Sequence, residues 1–299
     1  MDSATITAWE NAFSTWASPP PKTEQERCDN AVKAVKNAID ASIKLKYKNI
    51  SVFEQGSYRN NTNVRKDSDV DIGILCKDTF YYELPLNATK EQFNIAPPAY
   101  SYSDFKNDVQ QALISYFGSS VISRGNKAFD IHENTYHVDA DVVPYFEHRR
   151  YNTYGKYLSG VQLFSDDQKK VINWPEQHYN NGVSKNNDTS RRFKSLVRIV
   201  KGLSNYMSDN RVDIAKQTPS FLIECLLWNV PNSNFGHGTY REDVRSCLVF
   251  LFNNTLSEDK CLEWGEVSEL KYLFRGSQKW TWQSAHQFIS AAWNYLGFE

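Results

Sequence analysis

The sequence has few cysteines, and none of them is spaced as a structural pair. There are five, an odd number with no CxxC motif: Cys28, Cys76, Cys225, Cys247 and Cys261. This distribution argues against both a disulfide framework and a structural zinc site. Scattered free cysteines suit a reducing compartment, so we predict a cytoplasmic protein.

Long apolar runs are also missing. The longest one, FLIECLLWNV at residues 221–230, is too short to span a bilayer and contains Glu224. Residues 1–16, MDSATITAWENAFSTW, lack the basic and then apolar regions of a secretion signal. We therefore expect a protein that is neither exported nor bound in a membrane.

The sequence also lacks an excess of charge of either sign. Lys and Arg number 34 against 35 Asp and Glu, which gives a formal net charge of −1 at pH 7. A protein that holds a long nucleic acid needs an extended basic surface, so we expect no such partner. The 299 residues, 40% of them hydrophobic, are enough for two lobes.

Hydrophobic periodicity divides the chain into a mixed first part and a helical second part. The first part is predicted to hold a helix over 23–45, strands over 49–53 and 69–75, a helix over 103–118 capped by Ser103, and a hairpin over 127–146 with Asn134 near its turn. Residues 173–190 are predicted as a polar loop, and the later helices as roughly 190–207, 218–229, 240–254 and 281–296. The predicted class is α+β, with a mixed-sheet lobe over 1–155 that includes the long N-terminal helix, and a helical lobe over 156–299.

Two pairs of acidic residues lie on predicted strands at alternate positions. Asp69 and Asp71 project from one face about 6.6–7 Å apart, and Asp139 and Asp141 repeat this spacing. Acids on the solvent face of an edge strand are the simpler interpretation. Three converging carboxylates would instead suit magnesium, and a pair of such ions would assist a phosphoryl or nucleotidyl transfer.

Gly56 and Ser57 precede the first acidic pair, where a tight turn can offer N–H groups and a hydroxyl to a phosphate. The pattern G-S-x11-D-x-D then resembles the signature of the polymerase-beta-like nucleotidyltransferases. The chain from about residue 25 onward also resembles the bacterial cyclic-dinucleotide synthases related to cyclic GMP-AMP synthase and oligoadenylate synthase. This similarity is carried by NWPEQHYNNGVSKNNDTSRRFKSLVRIVKGL and TPSFLIECLLWNV.

The resemblance implies a nucleotidyltransferase palm, a helical lobe opposite it and an active site in the cleft between them. It implies two Mg²⁺ ions, for which Mn²⁺ can substitute, held by Asp69, Asp71 and a third carboxylate. Alternation leaves Asp139 and Asp141 equivalent, but the family places its acid directly before Val-Val-Pro, so we choose Asp141. A monomer in an antiphage signalling operon is expected, acting through an operon-encoded effector that responds to the product.

A basic stripe follows in the helix predicted from residue 190. Arg191, Lys194, Arg198 and Lys201 fall within about an 80° arc that no acid interrupts. A solvated amphipathic face is the alternative. In the resembled family the lysine of VRIVK, here Lys201, reaches the triphosphate. The predicted substrate-binding set is Gln55, Gly56, Ser57, Tyr179, Lys194, Arg198, Lys201 and Ser220.

The polar loop offers groups that could recognise a base. His178 and Tyr179 suit a ligand contact and base stacking, or equally loop packing. Its asparagines suit base edges or turns: Asn173, Asn180, Asn181, Asn186 and Asn187. The remaining histidines that we considered, His132, His137 and His148, lack metal-ligand spacing, and we predict that they are structural.

The predicted reaction is attack of a ribose hydroxyl on the α-phosphate of a second nucleoside triphosphate, with loss of pyrophosphate and closure into a cyclic dinucleotide. The NWPEQHY-like loop favours a product that contains uridine. The bases joined, the ring size, the 2′–5′ or 3′–5′ linkage and the need for an activator are left open. Transfer to RNA or to a small molecule, and a catalytically inactive nucleotide sensor, are the alternatives.

Overall fold

The structure is a computed structural model that describes residues 3–64, 69–132, 139–276 and 278–298. The chain forms two units. Residues 21–59 and 68–175 make up the sheet unit, and residues 1–20, 60–67 and 176–299 make up the helical unit. The predicted α+β class, with a mixed-sheet lobe and a helical lobe, is confirmed.

The sheet unit contains a mixed sheet whose order is β1-β2-β5-β4-β3, with β6 beside β5 and β7 beside β6. Its strands within the described residues are β1 (Ile50–Gln55), β2 (Val70–Glu83), β3 (Ile122–Arg124), β4 (Phe129–Ile131), β5 (Ala140–Tyr151), β6 (Tyr157–Phe164) and β7 (Lys170–Asn173). Strands β2 and β5 are parallel, and every other pair is antiparallel. The predicted hairpin is the β4–β5 pair, while its expected turn at Asn134 lies outside the described residues.

Alternation fixes which face of β2 is buried. Val70, Ile72 and Ile74 are fully buried, and they share one core with helices α2 (Lys22–Ala41) and α4 (Tyr102–Phe117). The residues between them therefore face the other side of the sheet. The N-cap of α4 is Ser101, which accepts a hydrogen bond from the Asp104 N–H at 3.0 Å, so the predicted cap at Ser103 is wrong by two residues.

The sheet continues past residue 155, where the sequence analysis placed the helical lobe. Strand β6 pairs with the second half of β5, and β7 pairs with β6, so the sheet unit extends to Pro175. The four buried residues of β6 are consecutive, so the strand shows little of the alternation between buried and exposed residues that a sequence pattern detects. The N-terminal twenty residues belong to the helical unit instead.

The helical unit contains the four helices predicted from periodicity, shifted by a few residues at most. The helices are α1 (Ser3–Ala17), α5 (Pro175–Asp188), α6 (Arg192–Asp209), α7 (Asp213–Gln217), α8 (Ser220–Trp228), α9 (Tyr240–Asn254), α10 (Glu258–Cys261) and α11 (Trp282–Tyr295). A short helix α3 (Gly56–Asn60) follows β1. None of the helices in the described part of the chain has the length and apolar character needed to cross a membrane.

The segment predicted as a polar loop is mostly helix α5. Its buried residues are His178, Gly182 and Lys185, which follow one another at helical spacing. Because these residues are polar or small rather than apolar, a hydrophobicity pattern does not reveal the helix. Pro175 at its first position suits a helix start, since that N–H needs no intrahelical partner.

Candidate active site

An acidic row crosses three adjacent strands of the sheet. Asp71 of β2 faces Asp141 of β5, and Asp141 in turn faces Asp130 of β4. Gln55 of β1 extends the row on the other side, opposite Asp71. Neighbouring strands lie about 4.8 Å apart, so the fold places these three carboxylates side by side on the face away from the core.

Mutual repulsion is visible in the protonation of this acidic row. The pKa of Asp141 is raised to about 6, first by partial burial and then by a hydrogen bond to Asp130 and the negative charges of Asp130, Asp69 and Asp139. Burial and the charges of Asp139 and Asp130 also raise the pKa of Asp69, which lies just before β2. A hydrogen bond between two carboxyl groups requires one of them to hold a proton, so the site favours a positive charge at this place.

Asp130 was not predicted, although the sequence contains a signal for it. It stands between buried Phe129 and Ile131 in the first strand of the hairpin whose second strand carries Asp141. Pairing the two strands at that register would have placed Asp130 beside Asp141. The structure also places Asp139 close by, since its carbonyl oxygen accepts the Val70 N–H at 2.9 Å.

Gly56 lies directly against the Asp71 carboxylate. A Cβ atom at this position would come within 1.9 Å of Asp71 Oδ2, and the φ angle of +66° is one that L side chains rarely adopt. Glycine is therefore required here by both space and conformation. Ser57 follows in α3, and the next residue, Tyr58, ties α3 to α2 through a 2.8 Å hydrogen bond to Glu24 Oε1.

A hydrogen-bonded group of side chains lies beside Asp71. Gln55 Nε2 donates to the Tyr145 hydroxyl at 3.1 Å, and Tyr145 also bonds the Asn173 side chain. Burial raises the pKa of Tyr145 to about 12, so its hydroxyl stays neutral. Gln55, predicted to bind substrate, therefore also links β1 to β5 and fixes the position of the segment that leads into Gly56.

The donor chemistry of the site fits a hard divalent cation. Carboxylates that share a proton and repel one another lose that repulsion when a cation replaces the proton, and oxygen is the ligand atom that Mg²⁺ prefers. Within the described ranges, however, no three His, Cys, Asp or Glu side chains already converge as a metal-binding group. The backbone thus places the ligands on adjacent strands, and cation binding would bring their oxygens together.

Most of the basic stripe of α6 is buried. Lys201 is buried, and its Nζ donates to Glu224 Oε2 at 2.9 Å, to the Thr62 carbonyl at 3.1 Å and to Thr62 Oγ1 at 3.3 Å. The other Glu224 oxygen contacts His178 Nε2 at 2.9 Å. These interactions lower the pKa of Glu224 despite its complete burial. An ammonium has three N–H donors, and here all three face oxygen atoms.

Arg198 and Lys194 are also buried, so this helix face is not a solvated one. Arg198 binds the carbonyl oxygens of Ala17 and Asn61, and burial lowers its pKa to about 10. Lys194 Nζ lies 5.5 Å from the centre of the Tyr179 ring. Helix α6 therefore has twelve buried residues, and they lie on all sides of the helix rather than along one apolar stripe.

The remaining predicted residues divide between the two units. Ser220 is exposed as the first residue of α8, one turn before Glu224, and Arg191 precedes α6. The predicted site residues thus fall into two groups. Those of the sheet unit are Gln55, Gly56, Ser57, Asp69, Asp71 and Asp141, and those of the helical unit are Tyr179, Lys194, Arg198, Lys201 and Ser220. His148 is buried and bonds Gln162 at 2.9 Å, as a structural histidine does, whereas His137 lies outside the described residues.

Comparison with known proteins agrees with this fold of a mixed sheet and a C-terminal helical domain. Residues 180–297 match the family described as the cGAS/DncV-like nucleotidyltransferase C-terminal helical domain. A cyclic dipyrimidine nucleotide synthase, CdnE of Cecembia lonarensis, is 43% identical over 97% of this chain and 98% of its own length. A second protein of that name, from Legionella pneumophila, is 41% identical over 96% and 98%.

Solved structures of similar proteins extend the comparison to the whole fold. The Rhodothermus marinus CdnE c-UMP-AMP synthase, solved with Apcpp and Upnpp, has a TM-score of 0.84 at 30% identity and covers 97% of both chains. The Elizabethkingia meningoseptica CdnE cyclic dinucleotide synthase, solved with GTP and Apcpp, has a TM-score of 0.81 at 34% identity, covering 97% of this chain and 99% of that one.

The fold and the strand-borne acidic row define a nucleotidyltransferase. With relatives above 40% identity along nearly the whole chain, the protein belongs to the CD-NTase family of cyclic-dinucleotide-forming enzymes. The predictions of this family and of this class of reaction are confirmed.

Proposed function

We propose that the protein joins two nucleoside triphosphates into a cyclic dinucleotide that contains at least one pyrimidine, with uridine the favoured base. The relatives with 43% and 41% identity are cyclic dipyrimidine nucleotide synthases, and a more distant one is a cyclic UMP-AMP synthase. Their identity extends over the whole chain rather than over the C-terminal helices alone. This supports a pyrimidine-containing product. The role in antiphage signalling rests on the family resemblance alone.

The observation that carries the chemistry is the placement of Asp71 beside Asp141, with Gly56 packed on Asp71. Asp69, Asp71 and Asp141 would hold Mg²⁺, or Mn²⁺ in its place. The bound cations would supply Lewis acidity at the attacking hydroxyl and at the α-phosphate. Asp141 would complete the ligand set of the cation that binds the attacking ribose hydroxyl and would help to receive its proton.

The remaining residues bind and orient the substrate. Gly56 leaves room for close approach at the start of α3, and the Ser57 hydroxyl would contact the phosphates. Lys201 would contact the triphosphate by exchanging its longest hydrogen bond, the 3.3 Å contact with Thr62 Oγ1, for a phosphate oxygen. Lys194 and Tyr179 would contribute charge and a stacking surface to the same substrate.

The test is incubation of the purified protein with all four labelled nucleoside triphosphates and Mg²⁺, followed by phosphatase treatment and mass analysis. We expect a phosphatase-resistant cyclic dinucleotide whose formation needs UTP or CTP. Phosphatase-sensitive oligomers, label attached to added RNA or label on a small acceptor would contradict cyclisation. A cyclic product made from purines alone would contradict only the proposed base preference.

A further inference from the structure

Strand β1 is an edge strand of the sheet, and its outer side is open. In the described part of the chain, β1 pairs with β2 alone. The Lys77 N–H donates to the Asn49 carbonyl at 2.9 Å, one step beyond the register in which Ile50 faces Cys76. Hydrogen-bonding direction alternates along an antiparallel pair, so Val52 and Glu54 point their backbone N–H and C=O groups away from β2.

A cavity of about 520 Å³ lies beside this strand, between β1 and α2. It is lined by Val52, Phe53 and Glu54 of β1, by Arg59, and by one stripe of α2 that comprises Asp29, Val32, Lys33 and Lys36. Three consecutive residues of a strand point their side chains to both faces of the sheet. The cavity follows residues 52–54 along the edge strand, on the side where α2 lies.

The wall of this cavity carries two cations at strand spacing. Lys33 and Lys36 are exposed and lie three residues apart on α2, where side-chain origins are about 5–6 Å from each other. Acidic side chains at alternate positions of an extended peptide are about 6.6–7 Å apart, so two such acids can pair with both lysines. Val32 and Val52 add an apolar floor.

The opposite end of the cavity is acidic, which helps to identify the occupant. Asp29 and Glu54 share a hydrogen bond there, and burial together with the charge of Asp29 raises the pKa of Glu54. A nucleic acid backbone, uniformly negative, would be repelled by this pair. A peptide can place its acids only where the lysines are, and it can use the outward backbone groups of β1.

We propose that the groove between β1 and α2, lined by Lys33, Lys36, Val52 and Glu54, is a docking site for an extended segment of a partner protein. The segment adds a strand to the edge of the sheet at β1. It presents two acidic side chains, at alternate positions, to Lys33 and Lys36.

The probe is a fluorescently labelled, end-capped peptide, Thr-Val-Asp-Val-Asp-Val-Thr, measured by anisotropy at low and at physiological salt. We expect binding to the wild-type protein that weakens with salt. The K33E/K36E double variant should weaken it about tenfold or more. A peptide with lysine in place of both acids should bind no better to the wild type than to that variant.

Two further measurements test strand addition itself. Val52→Pro removes an N–H that points outward and leaves the β1–β2 hydrogen bonds intact, because proline is tolerated at strand edges. It should weaken binding severalfold, as should methylation of alternate peptide nitrogens in the probe. Thermal melting must show that each variant folds, and the K90E/K156E variant, which changes the charge equally away from the groove, should bind as the wild type does.

Several results would overturn the proposal. One is equal binding of the probe by K33E/K36E and by the wild type. Another is weaker probe binding in K33E/K36E but unchanged binding in Val52→Pro and for the methylated probe, since the peptide would then be held by charge alone and not by strand addition. A third is an RNA oligonucleotide that binds the wild-type protein more tightly than the peptide does and loses this binding in the K33E/K36E variant.

Discussion

The acidic row of the sheet and the basic face of α6 are similar in the sequence and different in the structure. Both are like charges repeated on one side of a regular element. The carboxylates have other carboxylates as neighbours, and burial together with these neighbours raises the pKa of Asp141. The cations of α6 have oxygen partners instead, namely Glu224, Thr62 and the carbonyls of Ala17 and Asn61.

This difference shows how to separate a charge kept for a ligand from a charge that holds the fold together. A charged group whose neighbours repel it is stabilised by an incoming ion of opposite sign. A buried ion pair is already compensated, and removing one partner leaves the other uncompensated. Substitutions in the acidic row should therefore mainly affect activity, and substitutions around Lys201 should mainly affect stability.

The largest expected effect is on turnover. Asp71→Asn keeps the shape and removes one negative charge, so product formation should fall by at least about 10²–10³-fold. The free energy of unfolding, measured in urea, should stay the same or increase because repulsion is relieved. Asp69→Asn and Asp141→Asn should behave alike.

Asp139→Asn is the matched control for that series, and it should keep appreciable activity. If it is inactive while Asp141→Asn is active, the third ligand has been assigned to the wrong residue. A folded Asp71→Asn protein with wild-type turnover would contradict the site altogether.

The second prediction concerns Glu224. Glu224→Gln leaves the buried Lys201 ammonium without a compensating charge, which should destabilise the protein by about 3–5 kcal/mol. Glu26→Gln, an exposed residue of α2, is the control and should change the unfolding free energy by less than about 0.5 kcal/mol. Equal urea midpoints for the two variants would show that the Lys201–Glu224 pair does not hold the fold.

The third prediction concerns Gly56, whose substitution should affect both activity and stability. Gly56→Ala introduces both a positive φ for an L residue and a clash with Asp71, so it should cost about 1–2 kcal/mol in stability and at least about tenfold in turnover. Gly155→Ala has a similar φ of +77° but meets no atom within 4 Å. It should share the loss of stability and keep full activity; an equal loss of turnover in both would refute a specific contact with Asp71.

A separate effect, on nucleotide use, is expected for the basic face. Lys201→Ala should weaken nucleotide use by about 1.5–3 kcal/mol, measured as kcat/KM at sub-saturating nucleotide, because one charge-assisted phosphate contact is lost. Arg191→Ala should matter less. Unchanged kinetics in a folded Lys201→Ala protein would assign this lysine to the fold alone.

The smallest effect is a pH dependence of stability. The pKa of Asp141 is higher in the folded state than in the unfolded chain, so between about pH 4 and 6 the folded state binds more protons. Stability should therefore fall as the pH rises through this window, by an amount on the order of 1 kcal/mol after solvent screening. Subtracting the urea stability profile of Asp141→Asn isolates this contribution, and a flat difference would refute it.

The local patterns were sufficient for part of the fold and of the site. Alternation in Val70, Asp71 and Ile72 identified β2 and the face that its carboxylate occupies. It did not reveal β6 and α5, whose buried residues are consecutive or mostly polar, or β7, which has no buried residue. Asp130 was missed because it becomes a neighbour of Asp141 only through the register of β4 with β5.

The sequence alone predicted the reaction class and the acids Asp69, Asp71 and Asp141, because a period of two on a strand and a fixed spacing from Gly56-Ser57 are local properties. Its resemblance to known synthases predicted the family. Only the tertiary structure decided which neighbours each charged group has and how deeply it is buried. Whether an acid gains a second acid as its neighbour, or Lys201 gains Glu224 and Thr62 as its partners, depends on residues up to 139 positions away in the chain. Electrostatic energies change with the distance and burial of such partners, and neither is recorded in the local pattern.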